Sequence, residues 1–583
     1  VLLMNTRQYW TALRTSKAVK LVAALMAACA MTHPTAQAAV SQVPAQVPLF
    51  VNNSVPPLNM LVVGRDHKLF FPAYNDASDL DGDGTIDIRY KPSIDYLGYF
   101  DSFTCYTYSN GYFTASSNTT KASLKTCPGT WSGDYLNYLT TSRADALRKV
   151  LYGGYRSTDT ATQTILERAY IPTDAHTWGK EYNSPAIDGY NLSDYTPIAN
   201  PSGGNRALFA NNTQVSAPLL RVIPSIPNVR IFGWVSRETT QGGVRATDTT
   251  TTPFTDVTVS PTDYNVRVEV CKKDPVIPLE SNCKVYPNGN AKPTGILHDY
   301  GEGNQMYFGL MTGTYQNNLQ GGAIRKAISS FANEVDTSTG IFGTPNAAGT
   351  AYTKGGIIST LDNLKISKGA CTTQGNSIDN GTCQDWGNPL AEMMFETLRY
   401  FSGVNGTAQA TPTAGYQSGA SDTSLGLSGL STWSNPYSAN PNPDANPPTY
   451  PSCSKPFQTL FSDISPTYDS DLPGSAYTTS NAPATTTALA NFSASSLGQT
   501  IWNNDVGTGS KNINIGQTPT VNDLAPTAKS ASSLGNIRGL PEEPAKQGTF
   551  NAGAVAYFGN TNPISSVGSQ KVQIFSIALS STL

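Results

Sequence analysis

The chain has 583 residues, of which 14% are charged, and it contains 50 Gly, 39 Pro and 29 Tyr. Ordinary soluble domains have about 25% charged residues, and coiled coils or helical arrays are rich in Lys, Glu, Leu and Ala, so the composition argues against a long-helix protein. A formal net charge of −3 argues against a nucleic-acid-binding protein, and 39% hydrophobic residues argue against disorder throughout.

Residues 1–38 have the pattern of a signal peptide. Basic residues without any acidic one precede the apolar stretch 21–31, and an Ala-x-Ala sequence ends at Ala38. This stretch is too short to span a bilayer, and no later run is long and apolar enough for a membrane helix. The sequence therefore predicts an exported protein with no transmembrane segment.

The cysteines suit an oxidising compartment. Seven of them follow the signal segment, and six fall into three close pairs: Cys105 with Cys127, Cys271 with Cys283, and Cys371 with Cys383. We predict that these pairs form local disulfides. None has Cys-x-x-Cys spacing, so zinc is not expected. Cys453 is left over, either free or paired with a group outside this chain.

Strand-like and helical patterns alternate along the chain at wide intervals. Strands are predicted at 59–63, 306–311, 457–461 and 571–579, and helices at 142–152, 323–335, 389–401 and 552–558. Residues 155–300 contain further β-type runs at 220–223 and 266–270. Residues 404–452 and 466–540 are rich in Ser, Thr, Asn, Pro and Gly, which predicts surface loops or partial disorder.

An acidic loop carries the sharpest motif. Its candidate calcium ligands are Asp79, Asp81, Asp83, the backbone carbonyl of Thr85, and Asp87. Oxygen ligands at loop positions 1, 3, 5, 7 and 9, with Gly84 at position 6, are the calcium-loop pattern. The usual Glu at position 12 is replaced by Tyr90, so Asp95, Asp76 or water would complete the shell. The alternative is an acidic turn whose carboxylates cap backbone amides.

Read together, the elements follow the order of a von Willebrand factor A domain, and the chain resembles the N-terminal half of type IV pilus tip-associated adhesins and biogenesis proteins of the PilC/PilY type. The matching stretches include NMLVVGRDHKLFF, YNDASDLDGDGTIDIRYKPSIDYLGYFDSF, SRADALRKVLYGG, DWGNPLAEMMFETLRYFSG and FSDISPTYDSDLPG. The resemblance implies an α/β fold: a von Willebrand factor A-like (Rossmann-like) core with large β-rich and loop insertions. The family's C-terminal β-propeller has no counterpart in this sequence, so we expect a fragment or a truncated reading frame.

The resemblance divides the chain as follows: a signal peptide at 1–38; the first strand and helix of the A-like domain at 39–154, with the calcium loop inserted at 79–90; a β-rich insertion at 155–300; the A-like core at 301–403; a polar low-complexity insertion at 404–452; an A-like strand at 453–465; a polar loop region at 466–540; and the last helix and strand at 541–583.

The metal site of an A domain is expected to be degraded. Where the D-x-S-x-S turn should follow the first strand, Asp66 is present but neither serine is, and Lys68 adds a positive charge. Asn388 stands where the family has a threonine, and Asp463 is retained. Too few hard oxygen ligands remain for a metal-dependent adhesion site.

The resemblance implies a non-enzymatic surface protein that supports pilus assembly, counters retraction and mediates adhesion. Its partners would be minor pilins at the pilus tip and a host or abiotic surface, with no nucleic acid. It would pass through the periplasm to the cell surface, the pilus tip or the outer membrane. Calcium is the expected cofactor.

Enzyme motifs are missing from the sequence, and no catalytic residue is predicted. None of the histidines lies in an H-E-x-x-H motif, and we find no G-x-S-x-G elbow or P-loop. The alternative function is a secreted calcium-stabilised carbohydrate-active enzyme or carbohydrate-binding protein. It predicts an aromatic-lined cleft with two facing carboxylates about 5–10 Å apart.

Overall fold

A computed structural model describes residues 55–579. The segments that it does not describe within this range are 75–77, 172–175, 213–216, 228, 232–244, 249–252, 254, 259, 347–350, 367–386, 404–410, 464, 478–480 and 566–568. The predicted signal peptide, Asp76, and the Cys371–Cys383 pair therefore lie outside the described residues.

A five-stranded sheet forms the centre of the fold. Its strands are β1 (Leu58–Val63), β2 (Tyr307–Thr312), β3 (Ala323–Ser329), β4 (Pro456–Ser462) and β5 (Gln573–Ala578), in the spatial order β3-β2-β1-β4-β5. Strands β1, β2, β4 and β5 are parallel, whereas β3 runs antiparallel to β2 at one edge. Strands β1 and β2 are almost wholly buried and apolar, as expected for the centre of a parallel sheet.

Helices cover both faces of this sheet. They are α1 (Arg143–Tyr152), α2 (Gly356–Asn363), α3 (Leu390–Phe401), α4 (Ala494–Asp505) and α5 (Asn551–Thr561). Alternate residues of β1 point to opposite faces: Met60 and Val62 pack with α3 and α5, whereas Leu61 and Val63 pack with α1 and α2.

Helix α1 has the ends that its sequence predicts. Ser142 Oγ accepts a hydrogen bond from Asp145 N at 3.2 Å, and Asp145 Oδ2 accepts one from Ser142 N at 3.1 Å, which completes a capping box. The helix ends at Gly153, whose φ of 87° is left-handed and therefore favours glycine.

Two antiparallel sheets lie in the inserted region. The six-stranded sheet has the order Trp131–Ser132, Thr104–Ser109, Tyr112–Asn118, Arg267–Glu269, Thr164–Glu167 and Arg156–Asp159, with one parallel pairing at Val268. The four-stranded sheet has the order Thr262–Asn265, Leu219–Ile226, Arg206–Asn212 and Trp178–Tyr182. The six-stranded sheet joins segments on both sides of the boundary predicted at 154/155, so the β-rich unit begins well before residue 155.

The remaining elements are short. Two-stranded pairs join Arg245–Asp248 with Thr255–Thr258, Cys283–Val285 with Ala291–Pro293, Thr344–Pro345 with Tyr352–Thr353, and Lys511–Gln517 with Asn522–Ala531. Further α-helices are Gly133–Thr140, Pro185–Asp188, Ile296–Gly301 and Ala420–Thr423. Single 3₁₀ turns lie at His67–Phe70, Leu192–Asp194, Phe331–Glu334, Ala414–Tyr416, Thr487–Leu489, Leu534–Asn536 and Pro544–Lys546.

The helix predicted at 323–335 is wrong, because this segment is the edge strand β3 followed by a 3₁₀ turn. Ile324 and Ile328 are four residues apart, a spacing that satisfies both the helical period and the period of two in a strand. Both side chains pack into the core on one face of the sheet, and Arg325 is buried on the other. Pairing with β2, which the local sequence does not encode, decides between the two structures.

The two polar regions are not simply surface loops. Trp433, Tyr437 and Tyr450, from the segment predicted as a low-complexity insertion, are buried in the same core as α3. The segment 466–540 contains α4 and a hairpin. A few large aromatic side chains pack these regions against the core. The average composition of each region is polar and therefore does not reveal these few buried residues.

Candidate functional site

The acidic loop is wound around the carboxylate of Asp79. Its Oδ1 accepts hydrogen bonds from Gly82 N at 2.7 Å and Asp83 N at 3.1 Å, and its Oδ2 accepts one from Gly84 N at 2.8 Å. Gly82 and Gly84 have φ angles of 74° and 87°, which only glycine adopts without strain. The loop therefore holds its shape through backbone-to-carboxylate bonds, and Asp81 Oδ1, Asp83 Oδ1 and Asp87 Oδ2 each accept a further backbone N–H. One oxygen of each of these other three carboxylates is left to interact with a cation.

Three of these other carboxylates meet at one point, which the ammonium group of Lys91 occupies. Lys91 Nζ lies 3.1 Å from Asp81 Oδ2, 3.0 Å from Asp83 Oδ2 and 2.5 Å from Asp87 Oδ1. Interaction with these three carboxylates raises the pKa of Lys91, and Asp87 contributes most. The loop thus presents a concentrated negative charge that already attracts a cation.

Asp87 distinguishes this loop from an ordinary acidic turn. Its side chain is fully buried although the rest of the loop is exposed. Its Oδ2 accepts a hydrogen bond from Leu80 N at 2.7 Å, and its Oδ1 points to the shared centre without a hydrogen-bond donor of good geometry among the described residues. A buried carboxylate oxygen of this kind requires a cation, and in the structure Lys91 supplies that positive charge.

The donor set fits calcium, which prefers six to eight hard oxygen ligands. Ligand oxygens of Asp79, Asp81 and Asp87 lie within 4.8 Å of one another. Asp95, considered from the sequence as a further ligand, is instead paired with Lys121 at 2.9 Å and Lys125 at 3.0 Å. Calcium would therefore take its ligands from Asp79, Asp81, Asp83, Thr85 and Asp87, with Lys91 displaced.

The second candidate site lies at the carboxyl end of β1 and β4. Asp66 and Asp463 follow these neighbouring strands and are both buried. Lys68 Nζ lies 2.9 Å from Asp463 Oδ2 and 3.3 Å from Glu543 Oε1. Asp66 Oδ1 accepts a hydrogen bond from Lys68 N at 2.8 Å, which fixes the start of the turn that carries the lysine.

Burial dominates the electrostatics of this edge. It raises the pKa of Asp66 to about 7, and repulsion from Asp463 adds to the rise. Burial likewise lowers the pKa of His67 to about 3, with a further contribution from His176, whose Nε2 lies 3.3 Å from His67 Nδ1. The imidazole of His67 is thus neutral at physiological pH and contributes no charge.

Asn388 is committed to the protein framework. Its Oδ1 accepts a hydrogen bond from Ser462 Oγ at 3.0 Å, its Nδ2 donates to Ser465 O at 3.2 Å, and its backbone N–H donates to Thr467 Oγ1 at 2.8 Å. The structure therefore places Asn388 and Asp463 at the same edge of the sheet. With Asn388 engaged and Lys68 among the carboxylates, these residues do not fit a divalent metal ion.

Glu543 and Lys91 are the residues that sequence reasoning missed. Lys91 lies four residues after Asp87, and this spacing is a signal that could have been used. Glu543 reaches the sheet edge from a loop about 80 residues beyond Asp463, and no local pattern marks it. Long-range packing alone brings it there.

Two predicted disulfides are formed in the structure: Cys105 with Cys127 and Cys271 with Cys283. Both lie in or beside the six-stranded sheet. Cys453 is exposed and is a free thiol in the structure.

A cleft of about 1090 Å³ lies between α1 and the six-stranded sheet. Its lining includes the aromatic side chains of Tyr74, Tyr99 and Phe103 and the carboxylates of Asp101 and Glu280. Both carboxylates accept local backbone hydrogen bonds: Asp101 from Phe103 N at 2.8 Å and Glu280 from Cys271 N at 2.9 Å. Such bonds are typical of turn caps.

The sequence matches two domain families. Residues 87–221 match the small alpha/beta domain of PilY1 homologs, and residues 308–559 match the second domain of PilY1 homologs. No solved structure matches the chain. In the part of the chain that the structure describes, no helix combines the length and apolar character needed to cross a membrane.

Two curated relatives are both type IV pilus biogenesis factor PilY1 homologs of Xylella fastidiosa strain Temecula1. One is 42% identical over 542 residues, an alignment that covers 90% of this chain and 36% of the relative. The other is 30% identical over 227 residues, covering 36% of this chain and 17% of the relative. The chain thus spans little more than a third of the longer match.

Proposed function

The chain belongs to the family of PilY1 homologs, and on this basis we propose that it is a non-enzymatic surface protein of type IV pili, a tip-associated adhesin that supports pilus assembly and opposes retraction. The observation that carries this proposal is the 42% identity, over 90% of the chain, to a type IV pilus biogenesis factor. Its partners would be minor pilins and a host or abiotic surface, and it would reach them through the periplasm.

The core is proposed to be a von Willebrand factor A-like domain. Support comes from the strand order β3-β2-β1-β4-β5, from the single antiparallel edge strand β3, and from the helices on both faces of the sheet. Ligands of open α/β sheets bind at the carboxyl ends of the strands. That edge, with Asp66 and Asp463, is the part of this chain where an A-like domain would meet a partner.

The acidic loop is proposed to bind calcium and so to stabilise the inserted domain. Three observations support this: the convergence of Asp81, Asp83 and Asp87 on one point, the buried Oδ1 of Asp87, and the loop winding around Asp79. When bound, calcium would neutralise the carboxylates and release Lys91 to solvent. The role is structural, because the loop lies apart from the cleft.

A carbohydrate-active enzyme is not proposed. The cleft does have aromatic walls and three carboxylates, but Asp101 and Glu280 each accept a backbone hydrogen bond and Asp299 is exposed on the short helix Ile296–Gly301. A general acid and a nucleophile or base must be directed at the substrate. The non-enzymatic proposal therefore assigns structural roles to Asp101 and Glu280.

Fractionation of sheared pili tests the proposed location. Pili are sheared from cells of the source bacterium, separated from membranes and soluble protein, and probed with an antibody to this chain. We expect the protein in the pilus fraction, and we expect that signal to vanish in a strain without the major pilin. Recovery only in the cytoplasm, or an unchanged distribution without pilin, would contradict the proposal.

A further inference from the structure

We propose that the ammonium group of Lys68 is the resident cation of the sheet edge at Asp66 and Asp463, and that this edge therefore takes no divalent metal ion. The A-like core implies a metal at this place, and the side chains found there disagree with it. The inference goes beyond the proposed pilus function, because it concerns which cation neutralises the buried carboxylates at this edge, whatever the protein does at the pilus.

The position of the lysine carries the inference. Lys68 Nζ contacts Asp463 Oδ2 at 2.9 Å and Glu543 Oε1 at 3.3 Å, while the Asp463 and Asp66 side chains are almost fully buried. The lysine side chain itself is only 19% exposed. A divalent ion bound to Asp463 would lie within a few ångströms of this ammonium group, and like charges at that separation in a partly buried site repel strongly.

The lysine is also fixed from its backbone. Residues 67–70 form a 3₁₀ turn whose first residues are capped by Asp66, which accepts the N–H of Lys68. Asp66 is thereby used as a cap for the turn and not held free as a metal ligand. Asp66 thus fixes the position of Lys68, and Asp463 forms the ion pair with its ammonium group.

Charge balance agrees with this arrangement. Asp463 Oδ1, Asp66 Oδ2 and Glu543 Oε2 are buried oxygens without hydrogen-bond donors among the described residues. Lys546 Nζ also lies 3.3 Å from Glu543 Oε1, so removing Lys68 would leave Asp463, and not Glu543, without its paired cation. An uncompensated buried charge is strongly destabilising. The same vacancy would attract a divalent ion, since two carboxylates and oxygen donors suit Mg²⁺ or Mn²⁺.

Manganese binding to the full chain tests the proposal. All proteins carry Asp81→Asn and Asp83→Asn, so that the acidic loop does not bind the ion. Within this background we compare the protein that keeps Lys68 with the variants Lys68→Met, Lys68→Arg and Asp463→Asn. The matched control is Lys292→Met, because Lys292 is another buried lysine and its Nζ lies 2.7 Å from Asp159 Oδ1. Mn²⁺ binding is measured by titration calorimetry. The Tm of each protein is measured by thermal melts with and without Mn²⁺.

We expect no Mn²⁺ binding that depends on Asp463 while Lys68 or an arginine is present. Lys68→Met should lower Tm by roughly 5 °C, recover it in Mn²⁺, and lose that recovery when Asp463→Asn is added. Lys292→Met should not recover in Mn²⁺. Mn²⁺ binding by the Lys68 form that Asp463→Asn abolishes would overturn the proposal, and so would a Lys68→Met protein with an unchanged Tm. If Lys68→Met does not fold, the comparison of Mn²⁺ binding between the protein that keeps Lys68 and its Asp463→Asn variant decides whether the proposal holds.

Discussion

Three buried carboxylic acids have pKa values near neutrality because burial disfavours their charged forms. Burial raises the pKa of Asp66, Glu334 and Asp469 to about 7 in each case. An acid whose pKa is higher in the folded than in the unfolded state stabilises the fold at low pH, and this contribution is lost as pH rises towards the folded pKa. We therefore expect the stabilising contribution of these three acids to be lost between about pH 4 and pH 7.

Asp469→Asn tests this effect at a single residue. Asp469 Oδ1 accepts a hydrogen bond from Thr549 N at 2.7 Å, which an asparagine oxygen can replace, and its buried Oδ2 has no hydrogen bond to the described residues. The variant should match wild type at pH 4 and exceed it at pH 8, by at most on the order of 4 kcal/mol. The measurement is urea unfolding at both pH values.

Asp444→Asn is the control, because Asp444 is exposed. We expect its stability to follow wild type at both pH values. A wild-type advantage over Asp469→Asn at pH 8 would show that the aspartate is held as a stabilising anion, contrary to the shift described above.

Local residue patterns were predictable where the interaction partner is close in sequence. The bounds of helix α1 and the clustering of the carboxylates in the acidic loop are of this kind. The contact of Lys68 with Glu543 was not predictable, because 475 residues separate them and only the packed sheet edge brings them together.

At the scale of elements, the acidic loop is the proposed calcium site. Calcium that binds the folded chain alone stabilises it by about 2.7 kcal/mol at a hundredfold excess over its Kd. We expect calcium to raise the Tm of wild type and to leave the Asp81→Asn, Asp83→Asn double variant unchanged. The measurement is a thermal melt with calcium or with a chelator.

A charge-matched control is the double variant Asp444→Asn, Asp505→Asn, which removes two exposed carboxylates elsewhere. It should keep the full response to calcium. No calcium-dependent rise in wild type would contradict the proposed site, and an equal rise in the loop variant would move the site to another place in the chain.

Helix α1, helix α3 and strands β1, β2 and β4 were predictable because their apolar pattern and their ends are local. Strand β3 was not, since the spacing of Ile324 and Ile328 suits a helix equally well and only the pairing with β2 selects a strand. The same holds for the six-stranded sheet, which pairs Val268 with Phe113, far apart in the chain. Non-local pairing is the part of a fold that a local pattern cannot encode.

At the scale of the whole molecule, the low charge and the Gly and Pro content belong to insertions around a conventional α/β core. The sheet of five strands is assembled from segments spread between residues 58 and 578, and long insertions separate them. Aromatic residues of the polar insertions, such as Trp433 and Tyr450, pack into this core. Two disulfides, Cys105–Cys127 and Cys271–Cys283, cross-link the inserted β-rich region.

The number of surface pili in a deletion strain tests the central claim most directly. Pili are counted by electron microscopy in wild type, in a strain without the gene for this protein, and in a strain that also lacks the retraction motor. We predict few pili in the single deletion, recovery in the double deletion, and recovery when the gene is returned. A single-deletion strain with the wild-type number of functional pili would contradict the account.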